Sequence, residues 1–327
     1  MTDQAPKQPT LPIAAPLART LDVIRAAQLP VLLVGTHGIG KSAFLADYAV
    51  QRGLTAYVID LSLLEATDLT GIPYIADGCT RFAPPAMLPT ASSGPSVLIL
   101  EELNRCDRSV RQPCLQLLTT RRLNDYVLPP DCFLASCVNP DGGGYDVDVL
   151  DPALASRFVS LHVVASAPDW LLWARASGVF APVVAFVERY PQSFDRSPPR
   201  SWTMAATLLA NAVRQGWAPD QLETVLAGVL KPLAAKALLM ELRGELPYIA
   251  PAEFVANAKA YQRTIESWRK SGRMDALAAT LDALVHYLKH TRPALTAVGR
   301  AALRDAVAEA PIDLAKGVRE AIDALAK

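Results

Sequence analysis

The chain has 327 residues, of which 51% are hydrophobic, enough to bury a core and, at this length, to build two domains. Its 32 basic and 32 acidic residues cancel, which argues against binding to nucleic acid or to an anionic membrane through net charge. Five cysteines without a CxxC pair argue against a disulfide framework and a zinc site, and no apolar run approaches the roughly 20 residues of a membrane helix, so we expect a cytoplasmic protein without membrane insertion.

The predicted elements begin after a segment rich in proline. Residues 1–16 are predicted to be a flexible N-terminal arm, and apolar strands then alternate with amphipathic helices over residues 17–165. This alternation predicts an α/β domain with a parallel sheet covered by helices on both faces. Helical periodicity alone continues beyond it, which predicts a helical domain over 166–245 and a helical C-terminal extension over 246–327. The predicted strands of the α/β domain are VLLVG (31–35), TAYVID (55–60), SVLILEE (96–102) and CFLASCVNP (132–140), with helices over 41–53 and 108–120.

A glycine-rich turn follows the first of these strands. Its sequence, GTHGIGKS, fits the GxxxxGK[ST] pattern between an apolar strand and an amphipathic helix. Glycines allow main-chain N–H groups to converge on phosphate oxygens, Lys41 brings a mobile charge to the β and γ phosphates, and Ser42 offers a hydroxyl to Mg²⁺. A chance glycine turn is the alternative, but the complete pattern in this context favours a nucleotide site. The predicted binding residues are Gly35, Thr36, His37, Gly38, Ile39, Gly40, Lys41 and Ser42.

Two carboxylates end the strand SVLILEE. We assign Glu101 to the magnesium shell and Glu102 to the general base that polarises the attacking water. Two solvated carboxylates at the end of a strand are the structural alternative.

These motifs together resemble the MoxR family of AAA+ ATPases, a clade with an insert in its second helix. The resemblance rests on LILEELNR, DLTGIPYIADGCTRFAPPAMLP, RRLNDYVLPPDCFLASCVNP and YDVDVLDPALASRF, which occur in the family's order, and it covers about residues 17–205. It implies an AAA+ P-loop NTPase fold with a helical lid, and ATP hydrolysis in a ring, typically a hexamer. It also implies remodelling, activation or maturation of a partner protein, often one with a von Willebrand factor A domain. The family usually has aspartate where this chain has Glu101, so slow hydrolysis is expected.

The resemblance implies three further nucleotide residues. Asn139 matches the polar sensor near the γ phosphate, although an asparagine before proline also suits a turn. Arg157 matches the arginine finger that reaches the neighbouring subunit's nucleotide, with a surface ion pair as the alternative. Arg200 matches the second sensor of the helical domain, with an ordinary exposed arginine as the alternative.

Two segments resemble the family's insertions. In relatives, the insert (here 67–89) and the hairpin before the first sensor (here 119–130) project towards the centre of the ring. Their side chains are candidates for gripping a client, or for packing the loops. The leading hypothesis is therefore a chaperone-like ring ATPase, and the alternative is a nucleotide-gated assembly scaffold with weak or no hydrolysis. The neutral charge argues against a DNA motor.

Overall fold

The computed structural model of the protein describes residues 9–140, 150–245 and 248–325. Two compact units divide the chain. The first contains the residues up to Trp170 together with Pro198–Arg200, and the second contains Leu171–Ser197 and the chain from Ser201 onwards.

A parallel sheet forms the centre of the first unit. The strands of the described residues are β1 (Thr10–Pro12), β2 (Val31–Val34), β3 (Thr55–Asp60), β4 (Ile72–Ala76), β5 (Cys79–Ala83), β6 (Ser96–Glu101), β7 (Arg122–Leu123), β8 (Tyr126–Val127), β9 (Cys132–Val138) and β10 (Val159–Val164). Six of them pair in parallel in the order β1-β10-β2-β9-β6-β3. The predicted parallel α/β fold is therefore confirmed.

Helices make up most of the remaining chain. Within the described ranges they are α1 (Ala15–Ala26), α2 (Lys41–Gln51), α3 (Ala66–Thr70), α4 (Arg108–Thr120), α5 (Pro152–Ala155), α6 (Ala167–Ala176), α7 (Ala181–Arg189), α8 (Pro191–Phe194), α9 (Pro199–Arg214), α10 (Glu223–Ala227), α11 (Pro232–Leu242), α12 (Pro251–Ala256), α13 (Ala258–Lys270), α14 (Met274–Thr291), α15 (Ala297–Ala306) and α16 (Ile312–Ala324). In the part of the chain that is described, none of these helices is both long and apolar enough to cross a bilayer.

The sheet is covered on both faces because alternate side chains of a strand point in opposite directions. Leu98 and Leu100 of β6 pack with α4, whereas Val97 and Ile99 of the same strand pack with α1 and α2. Such a strand reads as an uninterrupted apolar run, which is why β2, β6 and β9 were predictable from the sequence.

Two strands of the parallel sheet escaped the prediction. β10 carries Ser160 and His162 within its six residues, and β1 ends in Pro12, so neither has the apolar signature of a central strand. A proline is compatible with β1 because this strand lies at the edge of the sheet. Regular structure therefore begins before the predicted boundary at residue 17, and residues 1–8 of the predicted arm lie outside the described residues.

Antiparallel hairpins occupy both predicted insertions. Segment 67–89 contains β4 and β5, which pair across a turn with Asp77 and Gly78 in the left-handed region, as a two-residue hairpin turn requires. Segment 119–130 contains the short pair β7 and β8. Asp125 joins the two hairpins, because its carboxylate accepts a hydrogen bond of 2.7 Å from the main-chain N of Phe82.

The second unit is helical, as predicted. Helices α12 to α16 share a hydrophobic core that includes Phe254, Trp268 and Leu284. The proposed division of the helical region at residue 245 stays a prediction, as does the assignment of its two parts.

Candidate functional site

The candidate site lies where three neighbouring strands end. β2 pairs in register with β9, so that Val34 lies opposite Val138, and β9 pairs with β6, so that Cys137 lies opposite Glu101. The glycine-rich loop, Asn139 and Glu102 are the next segments of these three strands. Because carboxyl ends of parallel strands share one edge of the sheet, residues about 100 positions apart in sequence come together here.

Glycine is required in the loop for two different reasons. At Gly35 the chain passes so close to β10 that a Cβ atom would lie 2.6 Å from the main-chain O of Val163. At Gly40 the reason is conformation, since φ is +98°, in a region that other residues avoid. The helix α2 begins directly afterwards at Lys41, so its N-terminal N–H groups face the loop.

Lys41 is the centre of the site. Its side chain is buried, and its Nζ donates to the main-chain O of Gly35 at 2.6 Å, the main-chain O of Thr36 at 3.0 Å and Oδ1 of Asn139 at 3.0 Å. Burial lowers the pKa of Lys41, and the Glu102 carboxylate opposes that shift. These three acceptors are neutral oxygens, so the charge of the ammonium group suits an anion.

The two carboxylates differ in conformation. Glu101 is the last residue of β6, whereas Glu102 has φ +55° in the left-handed region, which glutamate rarely adopts. Oε2 of Glu102 is buried without a hydrogen-bond donor among the described residues, and the guanidinium of Arg105 lies 3.6 Å away. A strained backbone and an unsatisfied carboxylate oxygen are typical of functional positions.

Two site residues escaped the sequence analysis. Asn104, which is 2% exposed, donates from Nδ2 to the main-chain O of Asn139 at 2.9 Å. Cys137 is buried close to Lys41 and Ser42, and burial raises its pKa to about 12. The signal for Asn104 was its place between two apolar residues, Leu103 and Cys106, which are themselves buried. Nothing local distinguished Cys137 from the other strand residues.

Arg200 also reaches the loop. The segment Pro198–Arg200 belongs to the first unit, and the main-chain N of Arg200 donates to the main-chain O of Gly38 at 3.0 Å. A Cβ at Gly38 would lie 3.2 Å from Cβ of Pro198, so glycine allows this close approach. The side chain of Arg200 is exposed. The remaining loop residues divide into exposed Thr36 and His37 and buried Ile39.

Arg157 lies apart from this group. It precedes β10 by two residues, and the first residue of β10, Val159, pairs with the first residue of β2, Val31. Its Nε donates to Oγ1 of Thr119 at 2.7 Å, and its Nη1 donates to the main-chain O of Ala153. Arg157 is therefore at the amino edge of the sheet, and the loop is at the carboxyl edge.

Comparison with known proteins finds a family match for part of the first unit and partial similarity to two further proteins. Residues 30–158 match the AAA domain model of the dynein-related subfamily. The chain is 29% identical over 174 residues to Midasin of Giardia intestinalis, an alignment that covers 50% of this chain and 4% of that protein. Among solved structures, RuvB of Thermotoga maritima overlaps 69% of this chain and 67% of its own, at 17% identity and a TM-score of 0.38. The family match, which spans the glycine-rich loop and the acidic strand, identifies residues 30–158 as an AAA domain and assigns this part of the chain to the AAA+ ATPases.

Proposed function

We propose that this protein is a MoxR-type ATPase that hydrolyses ATP in a cytoplasmic ring and uses the energy to remodel or activate a partner protein. The position of Arg157 is the main support for a ring. From Val31 to Val34, β2 spans about 10 Å at roughly 3.3 Å per residue, and this length of sheet separates the arginine from the loop of its own protomer. An arginine finger at the amino edge serves a nucleotide on a neighbouring protomer.

ATP fits the residues of the site. The glycine-rich loop and the start of α2 present N–H groups, and Lys41 presents a buried ammonium next to them. Ser42 and Glu101 would hold Mg²⁺, since a hydroxyl and a carboxylate supply the oxygen ligands that this cation prefers. A divalent cation held there would supply positive charge to balance the charge of the phosphates.

The proposed catalytic roles belong to Glu102, Asn139, Arg157 and Arg200. Glu102 accepts the proton of the attacking water, for which its buried and unsatisfied Oε2 is suited. Asn139 hydrogen-bonds that water or the γ phosphate. Arg157 of the adjoining protomer stabilises the charge that develops on the phosphoryl group, and Arg200 contacts the phosphates from the segment that covers Gly38.

The two linked hairpins are the proposed contact with the client. Ile72 and Tyr74 lie on one face of β4 and Ile75 on the other, and they are 70%, 50% and 75% exposed. Exposed apolar side chains suit contact with an unfolded or extended polypeptide. A hexamer, and a partner with a von Willebrand factor A domain, are part of the proposal through the resemblance to the MoxR family. Nucleic acid is not, because the net charge is zero.

Phosphate release tests the enzymatic proposal. Lys41→Ala should abolish nucleotide binding, and Glu102→Gln should bind ATP like the unmodified protein while turnover stops. Calorimetry with ATP or ADP measures binding, and a coupled phosphate assay measures turnover. Unchanged phosphate release in both variants would refute the assignment, and so would the absence of binding to the unmodified, folded protein.

A nucleotide-gated scaffold is the second candidate. It is favoured by the Arg105 guanidinium, which lies 3.6 Å from Oε2 of Glu102 and competes for the proposed base, and by glutamate in place of aspartate at position 101. Sizing with and without ATP, in parallel with phosphate release, separates the two candidates. Ring formation without turnover under any condition would favour the scaffold.

A further inference from the structure

A buried asparagine connects the loop after β6, which carries Glu102, to the glycine-rich loop. Asn104 is two residues after Glu102 and donates from Nδ2 to the main-chain O of Asn139 at 2.9 Å. Oδ1 of the Asn139 side chain accepts from Lys41, which also donates to the carbonyls of Gly35 and Thr36. Asn139 is thus bound twice, because its main-chain O accepts from Asn104 and its side-chain Oδ1 accepts from Lys41.

Every side chain in this connection is shielded from water. Lys41, Asn104 and Asn139 are 9%, 2% and 8% exposed. Oδ1 of Asn104 is buried and has no hydrogen-bond partner among the described residues, an arrangement that destabilises the folded state. The hydrogen bond from Nδ2 of Asn104 to Asn139 offsets part of that loss.

We infer that Asn104 is a positioning residue that fixes the Asn139 amide relative to the Glu102 carboxylate. The inference rests on the proposed ATP hydrolysis. Glu102 and Asn104 share one short loop, so a hydrogen bond from Asn104 to the end of β9 sets the spacing between the base and the sensor. Asn104 itself contacts neither the nucleotide nor the water. It acts through Asn139, whose side-chain oxygen is thereby held in place to accept from the ammonium of Lys41.

Asn104→Asp is the variant that tests this role. A carboxylate has nearly the same shape but accepts only, so it cannot donate to the carbonyl of Asn139. We expect the affinity for ADP to stay within about threefold and kcat to fall roughly tenfold to a hundredfold, the loss typical of a small misplacement of reacting groups. If the aspartate variant does not fold, Asn104→Ala removes the donor without introducing a buried charge. It should likewise leave the affinity for ADP nearly unchanged and lower kcat.

Asn211→Asp is the matched control. Asn211 also donates from Nδ2 to a main-chain carbonyl, that of Thr207 at 2.8 Å, but it lies on the exposed face of α9. We expect this control to keep kcat within about twofold, because the network around Lys41 is untouched.

A double-mutant comparison separates positioning from mere support of the fold. In an Asn139→Ala background the main-chain carbonyl is kept but the side-chain amide is gone. Asn104→Asp should therefore lower thermal stability in both backgrounds and reduce kcat only where Asn139 is present. An equal loss of kcat in both backgrounds, or an unchanged kcat in Asn104→Asp, would overturn the inference. Failure of the proposed function is recognised separately, since the unmodified protein would then release no phosphate.

Discussion

The left-handed conformation of Glu102 leads to a prediction about stability that is independent of catalysis. Glu102 has φ +55°, and an L-residue in this region is disfavoured by roughly 1–2 kcal/mol relative to the right-handed one. Glycine does not carry this penalty, but it loses about 0.5–1 kcal/mol more conformational entropy than alanine on folding. Glu102→Gly should therefore be more stable than Glu102→Ala by roughly 0.5–1 kcal/mol. Both variants lack the carboxylate, so neither should release phosphate.

Differential scanning calorimetry of the two variants without nucleotide measures this difference. A change of 1 kcal/mol shifts the melting temperature by about 2–4 °C in a unit of 150–250 residues, so the glycine variant should melt roughly 1–4 °C higher. The same pair of substitutions at Glu101 is the control, because Glu101 is a strand residue without the left-handed backbone. There alanine should be the more stable by about 0.5–1 kcal/mol. If the stability difference between the glycine and alanine variants had the same sign at both positions, the reasoning that position 102 is strained would be refuted.

Three further predictions concern the finger, the metal ligand and the fold. Arg157→Ala should bind ATP normally and lose about 10³-fold in turnover. Mixing this variant with Lys41→Ala protomers should restore phosphate release, because each variant keeps the part that the other lacks. If phosphate release is not restored, the result argues against action between protomers. Glu101→Asp should raise magnesium-dependent turnover by up to about a hundredfold without changing ADP affinity measured in EDTA, and a slower variant would contradict the inferred effect of the longer side chain. The Arg52 guanidinium, hydrogen-bonded at 2.8 and 2.7 Å, holds the pKa of Asp22 below its ordinary value of 3.8. The stabilisation by Asp22 should therefore be complete above pH 3.8 and be lost as the pH falls through the lowered pKa. Urea unfolding of the unmodified protein and of Asp22→Asn measures this contribution, and the difference between their unfolding free energies should vanish in acid. A difference independent of pH would exclude the carboxylate as its source.

The linked hairpins illustrate the limit of sequence reasoning. The turn at Asp77 and Gly78 has a strong local signal, because two-residue hairpins favour this pair of residues. The hydrogen bond from the Phe82 main chain to Asp125 has none, since the two residues are 43 positions apart. The turn between β4 and β5 carries this local signal, whereas the attachment of this hairpin to the β7–β8 hairpin has no signal in the sequence.

The sequence by itself determined the glycine-rich loop, the acidic strand and the helices on either side, because each depends on a pattern within about ten neighbouring residues. Only the tertiary structure decided that Lys41 donates to Asn139, 98 positions away, and that Asn104 holds the same residue from a loop 35 positions before it. It also decided that Glu102 is left-handed and that Arg157 lies at the edge of the sheet opposite the loop. These features come from the order and register of parallel strands, and many chain orders are compatible with the same local patterns.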